Sequence, residues 1–377
     1  MKLTARILSG EVCAIEVENG RFSSVTTRNE DVLDIPWIAP GLVDIQINGF
    51  GGVDFNRALE SPEAWCEATD RLYAHGCTGF LIALITNTEE GYGERLRELT
   101  AHIRRDPRNC LGFHMEGPWL NPDPGYRGAH RSDWMQKPSM QTLEEWRSIA
   151  GKLLRLITLA PEIDPPASLE LIRAGVTQGI RFFLGHSGAK RDVLSIAQDA
   201  GAAGWTHLGN AVPTSVPKFD NVVMNVLAQT GLLASLIPDG AHVPPHAFRV
   251  MANALGPRLL LTTDAMAAAG ATGTKGPFSL GEVRVEIGED GCARLPDSGR
   301  LAGSTLTPFA GVFRAERMSG LSLEEAWCAF STRPAEMLGL SRWLAAGDPA
   351  DFCLISPDRT PDLLATYQGG ACVYQAR

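Results

Sequence analysis

Short apolar runs alternate with amphipathic stretches along most of the chain. Eight such runs stand out, at 42–48, 80–86, 110–116, 155–160, 179–186, 204–208, 232–239 and 258–264. Continuous apolar runs of this length suit strands buried on both faces, as in a parallel sheet covered by helices. Helix signals lie between most of them. Ser61-Pro62-Glu63 supplies an N-cap serine, a first-turn proline and a carboxylate. Trp65, Ala68, Leu72 and Tyr73 then recur on one face, and Gly76 stops the helix. Segments 168–174, 192–200 and 245–254 read the same way. Eight strand–helix units favour a closed barrel over an open doubly wound sheet.

The two ends of the chain carry a different pattern. Segments 3–8, 12–17 and 22–26 read as short strands joined by turns, and 351–356 and 371–374 also read as strands. The predicted fold class is α/β. A (β/α)₈ TIM-like barrel spans 40–344, and both termini (1–39 and 345–377) build a small β-sandwich domain. Within the barrel, 276–300 alternates and turns like a hairpin inserted after the eighth strand.

The length of 377 residues suits a barrel of about 250 residues plus a smaller unit. Net charge is −9, which argues against nucleic acid or an anionic membrane as a partner. A small anionic substrate stays open, because a local cationic pocket can sit inside an acidic protein. No targeting segment is recognised and no run approaches the ~18 apolar residues of a membrane span. The eight cysteines form no C-x-x-C pair. Free thiols in a reducing cytoplasm are the expectation.

Polar residues crowd the C-terminal ends of the apolar runs. Gln46 and Asn48 end the first, Glu116 the third, His186 the fifth, His207 the sixth and Asp264 the eighth, while Asp239 and His242 follow the seventh. A barrel brings these distant residues around one mouth. Glu116, His186 and His207 suit one divalent metal, Zn²⁺ first, although Fe²⁺ or Mn²⁺ can use the same ligands. Three protein ligands leave a place for water, whose pKa falls toward neutrality on the metal. Asp264 ends the run Leu-Leu-Leu-Thr-Thr-Asp. There a carboxyl is costly unless paired or functional, and beside a metal it is the natural general base. The bland alternative is an N-cap or ion pair. His130 lies in a glycine-containing loop, where a histidine is ordinarily solvated. His75 and His102 fall on amphipathic helices and are expected to face solvent. His114 shares a strand face with Glu116 and is read as a barrel-core residue.

Seven segments together resemble the N-acetylglucosamine-6-phosphate deacetylases of the amidohydrolase superfamily. They are Pro40-Gly41-Leu42-Val43-Asp44-Ile45-Gln46-Ile47-Asn48-Gly49, His114-Met115-Glu116-Gly117-Pro118-Trp119-Leu120-Asn121, Gly185-His186-Ser187-Gly188-Ala189, Thr206-His207-Leu208-Gly209-Asn210-Ala211, Asp239-Gly240-Ala241-His242-Val243, Thr262-Thr263-Asp264-Ala265 and Leu301-Ala302-Gly303-Ser304-Thr305. They run in family order. Thr332-Arg333-Pro334-Ala335 and Gly347-Asp348-Pro349-Ala350-Asp351 resemble the superfamily's return into its β domain.

The resemblance implies roles. Glu116, His186 and His207 are metal ligands, Asp264 is the acid/base, and His130 polarises the acetyl carbonyl. His242, Asn210 and the backbone at Ala211 hold the sugar or its phosphate, and Leu301, Ala302 and Gly303 line the acetyl pocket. Many amidohydrolases carry His-x-His on the first strand and bind two metals. Gln46-Ile47-Asn48 stands there instead, as in the single-metal members, so one metal is expected. Relatives place a phosphate-binding arginine past Asn-Ala-x-Pro, from the neighbouring subunit of a homodimer. Lys218 falls near that offset here and lacks the bidentate fork. The expected activity is hydrolysis of N-acetylglucosamine 6-phosphate to glucosamine 6-phosphate and acetate. The alternatives are another N-acetyl amino sugar or amide, and a silent sugar-phosphate sensor.

Overall fold

The computed structural model describes residues 1–29, 34–271, 276–358 and 360–376. In chain order, β1 (Lys2–Ile7), β2 (Val12–Glu18), β3 (Arg21–Arg28) and β4 (Trp37–Pro40) come first. The first barrel strand β5 (Leu42–Ile47) leads into a small ribbon, β6 (Gly49–Phe50) and β7 (Val53–Asp54). The remaining barrel strands are β8 (Cys77–Ile85), β9 (Cys110–Glu116), β10 (Leu154–Leu159), β11 (Arg181–Leu184), β12 (Gly204–Trp205), β13 (Leu233–Leu236) and β14 (Leu259–Leu261). The insertion holds β15 (Phe278–Leu280), β16 (Val283–Ile287) and β17 (Ala293–Arg294), and β18 (Phe352–Ile355), β19 (Leu363–Gln368) and β20 (Ala371–Gln375) end the chain.

Eight parallel strands run in the order β14-β13-β12-β11-β10-β9-β8-β5. All nine residues of β8 are buried, which is why these strands read as unbroken apolar runs. The ring is nearly closed. Asn48 N–H donates to Ala265 O at 2.8 Å, just past the ends of β5 and β14. Below it, Asp44 accepts from the Thr262 and Thr263 hydroxyls at 2.5 and 2.6 Å. Val43, Ile45, Leu81, Leu156, Phe183 and Leu260 fill the barrel, capped by Ala335 and Met337 of the helix Thr332–Met337. His114 is fully buried, as read from its strand position. Its Nδ1–H donates to Ile45 O at 3.0 Å and its Nε2 meets Thr158 Oγ1 at 2.8 Å.

The helices follow the sequence signals. Ser61 caps Pro62–Tyr73 by accepting from Ala64 N, a contact worth about 1 kcal/mol. Trp65, Ala68, Leu72 and Tyr73 face inward as predicted. Helices Pro165–Thr177, Arg191–Ala200 and Pro245–Leu255 cover the three other segments.

The termini form one seven-stranded sheet, β20-β19-β18-β4-β1-β2-β3, in which only β1 and β4 pair parallel. Phe22 of β3 packs on Phe352 of β18 with ring centroids 5.7 Å apart, although three strands separate them in the sheet. The sheet therefore wraps over its own core, as a sandwich does. It is bound to the barrel through Trp327 Nε1–H, which donates to Pro40 O at 2.7 Å.

Three expectations change. The inserted hairpin is a three-stranded sheet, because Ala293–Arg294 adds a strand to β16. β19, absent from the sequence reading, joins β18 to β20. His75 does not face solvent: it lies half-buried just past its helix, edge-on to Phe50 at 5.6 Å. Burial pushes its pKa down to about 4. His102 is likewise half-buried, against Trp65.

Candidate active site

The strand ends converge as the sequence predicts. Glu116 closes β9, and its Oε1 lies 3.1 Å from His186 Nε2 and 2.7 Å from His207 Nε2. Gln46 Nε2–H donates to the same oxygen at 3.0 Å. All four side chains are buried. Burial pulls the Glu116 carboxyl up, but the hydrogen bonds of His186 and His207 outweigh it and hold it well below the usual carboxylate range. Burial likewise disfavours the His207 imidazolium, yet Glu116 wins and the net shift is upward.

His186 has a defined tautomer. Its Nδ1 lies 2.9 Å from the Tyr126 carbonyl, which can only accept, so Nδ1 carries the proton. With Nδ1 engaged there, Nε2 is the nitrogen turned toward Glu116 and the one through which this imidazole can bind a metal. His130 has the opposite tautomer. The Thr86 backbone N–H donates to His130 Nδ1 at 3.3 Å, with Thr86 Oγ1 at 2.8 Å from the same atom. Nε2 must then carry the hydrogen, aimed at Glu116 Oε2 3.7 Å away. Burial, then the nearby His186, pushes the His130 pKa down to about 3, so the ring is neutral.

Two donor sets are thus available. Donor atoms of Glu116, His130 and His186 lie within 4.8 Å of one another and can hold a metal ion. His207 competes with His130 for the third place. A neutral imidazole offering Nε2–H is a hydrogen-bond donor and no ligand, which favours His207. His207 Nδ1 is buried without a partner.

Asp264 sits across the cavity, where Asn48 Nδ2–H donates to its Oδ1 at 2.8 Å. Burial, then the charge of Glu116, pushes the Asp264 carboxyl up to about 6. Asn48 Oδ1 is buried with no partner. His186, His207, Ala211 and Asp264 all have positive φ, from 32 to 51°. Non-glycine residues rarely hold this conformation, and its concentration at strand ends marks a functional site.

A cavity of about 30 Å³ is lined by Glu116, His130, His186, His207, Asp264, Asn48 and Asn210, together with Leu301, Ala302 and Gly303. Three expected contacts lie outside it. Ala211 N–H donates to Asn210 Oδ1 at 2.9 Å. His242 stands apart with Nδ1 2.7 Å from Asp239 Oδ2, and its Nε2 is buried without a partner. Lys218 is exposed on its loop, 5.1 Å from the centre of the Phe219 ring, and nothing in this chain brings it to the cavity.

Several residues escaped the sequence reading. Thr86 ends the second apolar run, which was the available signal. Glu162 ties three loops together: it accepts from Ser187 Oγ at 2.6 Å, Gly188 N at 2.7 Å and Asn121 Nδ2 at 2.9 Å. Nothing in its sequence surroundings marks it.

The chain is 34% identical over 360 residues to mouse (Mus musculus) N-acetylglucosamine-6-phosphate deacetylase, covering 90% of this chain and 84% of that protein. The chain belongs to the N-acetylglucosamine-6-phosphate deacetylase family. It is also 31% identical over 382 residues to an N-acetylgalactosamine-6-phosphate deacetylase of Shewanella sp. (strain ANA-3), covering 97% and 93%. Its backbone superposes with TM-score 0.89 and 29% identity, over 99% of both chains, on a Mycobacterium smegmatis N-acetyl-D-glucosamine-6-phosphate deacetylase mutant solved with N-acetyl-D-glucosamine 6-phosphate. No family model matches the chain. The barrel and the antiparallel sheet from both termini are those of this deacetylase family. No helix among the described residues is long and apolar enough to cross a membrane.

Proposed function

We propose that this chain hydrolyses the N-acetyl amide of N-acetylglucosamine 6-phosphate, giving glucosamine 6-phosphate and acetate. One observation carries the reading: an ionised Glu116 with two converging imidazoles, a neutral His130 and a raised Asp264 share one small cavity. Family membership supplies the substrate class.

Glu116, His186 and His207 would hold one divalent ion, with Zn²⁺ favoured by the nitrogen and oxygen donors. Such an ion supplies Lewis acidity to the carbonyl and acidifies water at neutral pH. Gln46 and Asn48 donate hydrogen bonds to Glu116 and Asp264, so neither acts as an anionic or imidazole ligand for a second ion. The chain's own groups handle the protons. Asp264 takes the proton of the attacking water and returns it to the leaving nitrogen as the C–N bond breaks. His130 Nε2–H donates to the carbonyl oxygen as negative charge grows there.

The orphaned His242 Nε2 and the Asn210 side chain are assigned to the sugar or its phosphate. The Ala211 backbone joins them, and Lys218 is assigned to the phosphate end, reaching a neighbouring subunit's cavity in a homodimer. Exposed Phe219, Val216 and Met224 on the same stretch support an interface there. We place the enzyme in the cytoplasm, and its domain boundaries at 39/40 and 344/345. The Shewanella relative supports a second reading, in which the 4-epimer N-acetylgalactosamine 6-phosphate is the substrate.

The deciding experiment measures acetate release from N-acetylglucosamine, its 6-phosphate and N-acetylgalactosamine 6-phosphate, with metal content determined on the same protein. Turnover chiefly of N-acetylglucosamine 6-phosphate at one metal per chain is expected. Turnover of none of the three overturns the reading.

A further inference from the structure

The small cavity has two unlike sets of lining residues. Besides the carboxyl and imidazole cluster it is lined by Ile85, Ala129, Leu280 and Ala302. These four belong to one apolar cluster, with Met266 and Val285 behind them. Ile85 and Ala302 come from the barrel's own strand ends and loops. Leu280 comes from the inserted three-stranded sheet, is 4% exposed, and is the pocket residue that this insertion supplies.

Both large side chains are pinned by one short ribbon. Asp54 Oδ2 accepts from Ser279 Oγ at 3.0 Å and from Gly281 N at 2.9 Å, gripping the residues on either side of Leu280. Asn56 Oδ1 accepts from Ile85 N at 2.9 Å, and Asn56 N donates to Asp54 Oδ1 at 2.9 Å. Gly281 has φ +57°, a left-handed conformation that lets the chain turn straight after Leu280. The wall is therefore held by hydrogen bonds as well as by packing.

An amino-sugar phosphate is polar almost everywhere. A hydroxyl or phosphate set against this wall would lose its hydrogen bonds to water and gain none. The acyl chain of the amide is the one part of such a substrate that the wall can accept. Ala129 and Ala302 are small, so the bulk of Leu280 and Ile85 limits how long a chain this wall can take. We propose that Leu280, carried into the site by the inserted sheet, sets the length of acyl group that the enzyme removes, with Ile85 of the same apolar cluster as a second limit. The proposal rests on the deacetylase reading above and adds its acyl selectivity.

The test uses the N-formyl, N-acetyl and N-propionyl derivatives of glucosamine 6-phosphate. In the wild type kcat/KM should favour acetyl over propionyl. Leu280→Ala should raise the propionyl-to-acetyl ratio about tenfold or more, the usual effect of admitting one methylene. Leu280→Phe should cost at least tenfold on acetyl while N-formyl turnover persists. Should Leu280→Ala fail to fold, Leu280→Val and Ile85→Val read the same ratio with β-branched residues at each wall. An unchanged acyl ratio in the folded variants overturns the proposal and leaves the deacetylase reading standing. A wild type that cleaves none of the three derivatives overturns both.

Discussion

The Thr86 backbone N–H donates to His130 Nδ1 and thereby fixes which hydrogen His130 presents to the cavity. A carbonyl-polarising donor and a metal ligand need opposite tautomers, so this contact separates the two roles. His130→Asn should lower kcat by about 10²–10³, the cost of losing one oxyanion donor. Metal content, measured on the same protein, should stay at the wild-type level. Loss of the metal together with activity would instead place His130 among the ligands.

Asp264→Asn removes the only carboxyl besides Glu116 that lines the cavity among the described residues. It keeps the shape and a hydrogen-bonding partner for Asn48. Turnover should fall by at least about 10²–10⁴ while substrate affinity and metal content persist. Equilibrium binding of substrate to the variant, together with kcat, checks this. Near-normal kcat would remove Asp264 from the proton path.

Glu162 touches no ligand of the proposed ion, yet it holds Ser187 and Gly188, which directly follow His186. His186 itself has φ 50°, and its carbonyl accepts from Asn121 N at 3.0 Å, a residue Glu162 also binds. Glu162→Ala should weaken metal affinity by about 10–100-fold, as loss of outer-shell support does. Competition with a chelator measures it, and circular dichroism should show an unchanged fold. An unaltered metal affinity would mean that the neighbouring loops hold His186 unaided.

Asp44 is fully buried, and desolvation raises its pKa from the ordinary 3.8 to about 6 despite four hydrogen bonds to the carboxylate. Between those values the folded chain keeps the proton while the unfolded chain releases it. Stability from this group is therefore lost as pH rises from about 4 to about 6, and is flat above that. The swing is about 3 kcal/mol at 1.36 kcal/mol per unit. Urea denaturation of wild type and Asp44→Asn across pH 4.5–7 isolates it. The wild type should lose stability relative to the variant as pH rises. A difference that does not change with pH would mean that Asp44 stays ionised throughout.

The convergence of Glu116, His186, His207 and Asp264 on one cavity was legible in the sequence because each ends an apolar run, where an ionisable group is costly unless paired or functional. The barrel was legible because its strands are short continuous apolar runs separated by helix signals, the pattern of parallel strands buried on both faces. Strand β19 was not, since a bulge between Thr366 and Tyr367 and an exposed Leu364 break its pattern. The third strand of the insertion was missed because Ala293–Arg294 is only two residues long. Leu280 and Glu162 act through where distant loops come to rest, which no local pattern encodes. Lys218 was placed by its offset from Asn210, and the exposed loop around it gives that offset no geometric support within one chain.

The sheet that joins both termini orders events during synthesis. β4 pairs on one edge with β1, made moments earlier, and on the other with β18, made about 310 residues later. β5 likewise finds β8 early but waits for the segment after β14. At roughly 5–20 residues per second, those two edges stay open on the ribosome for at least about ten seconds. Unpaired edges of this kind recruit other strands. A nascent chain stalled before residue 352 should therefore be the form of this protein most in need of a chaperone.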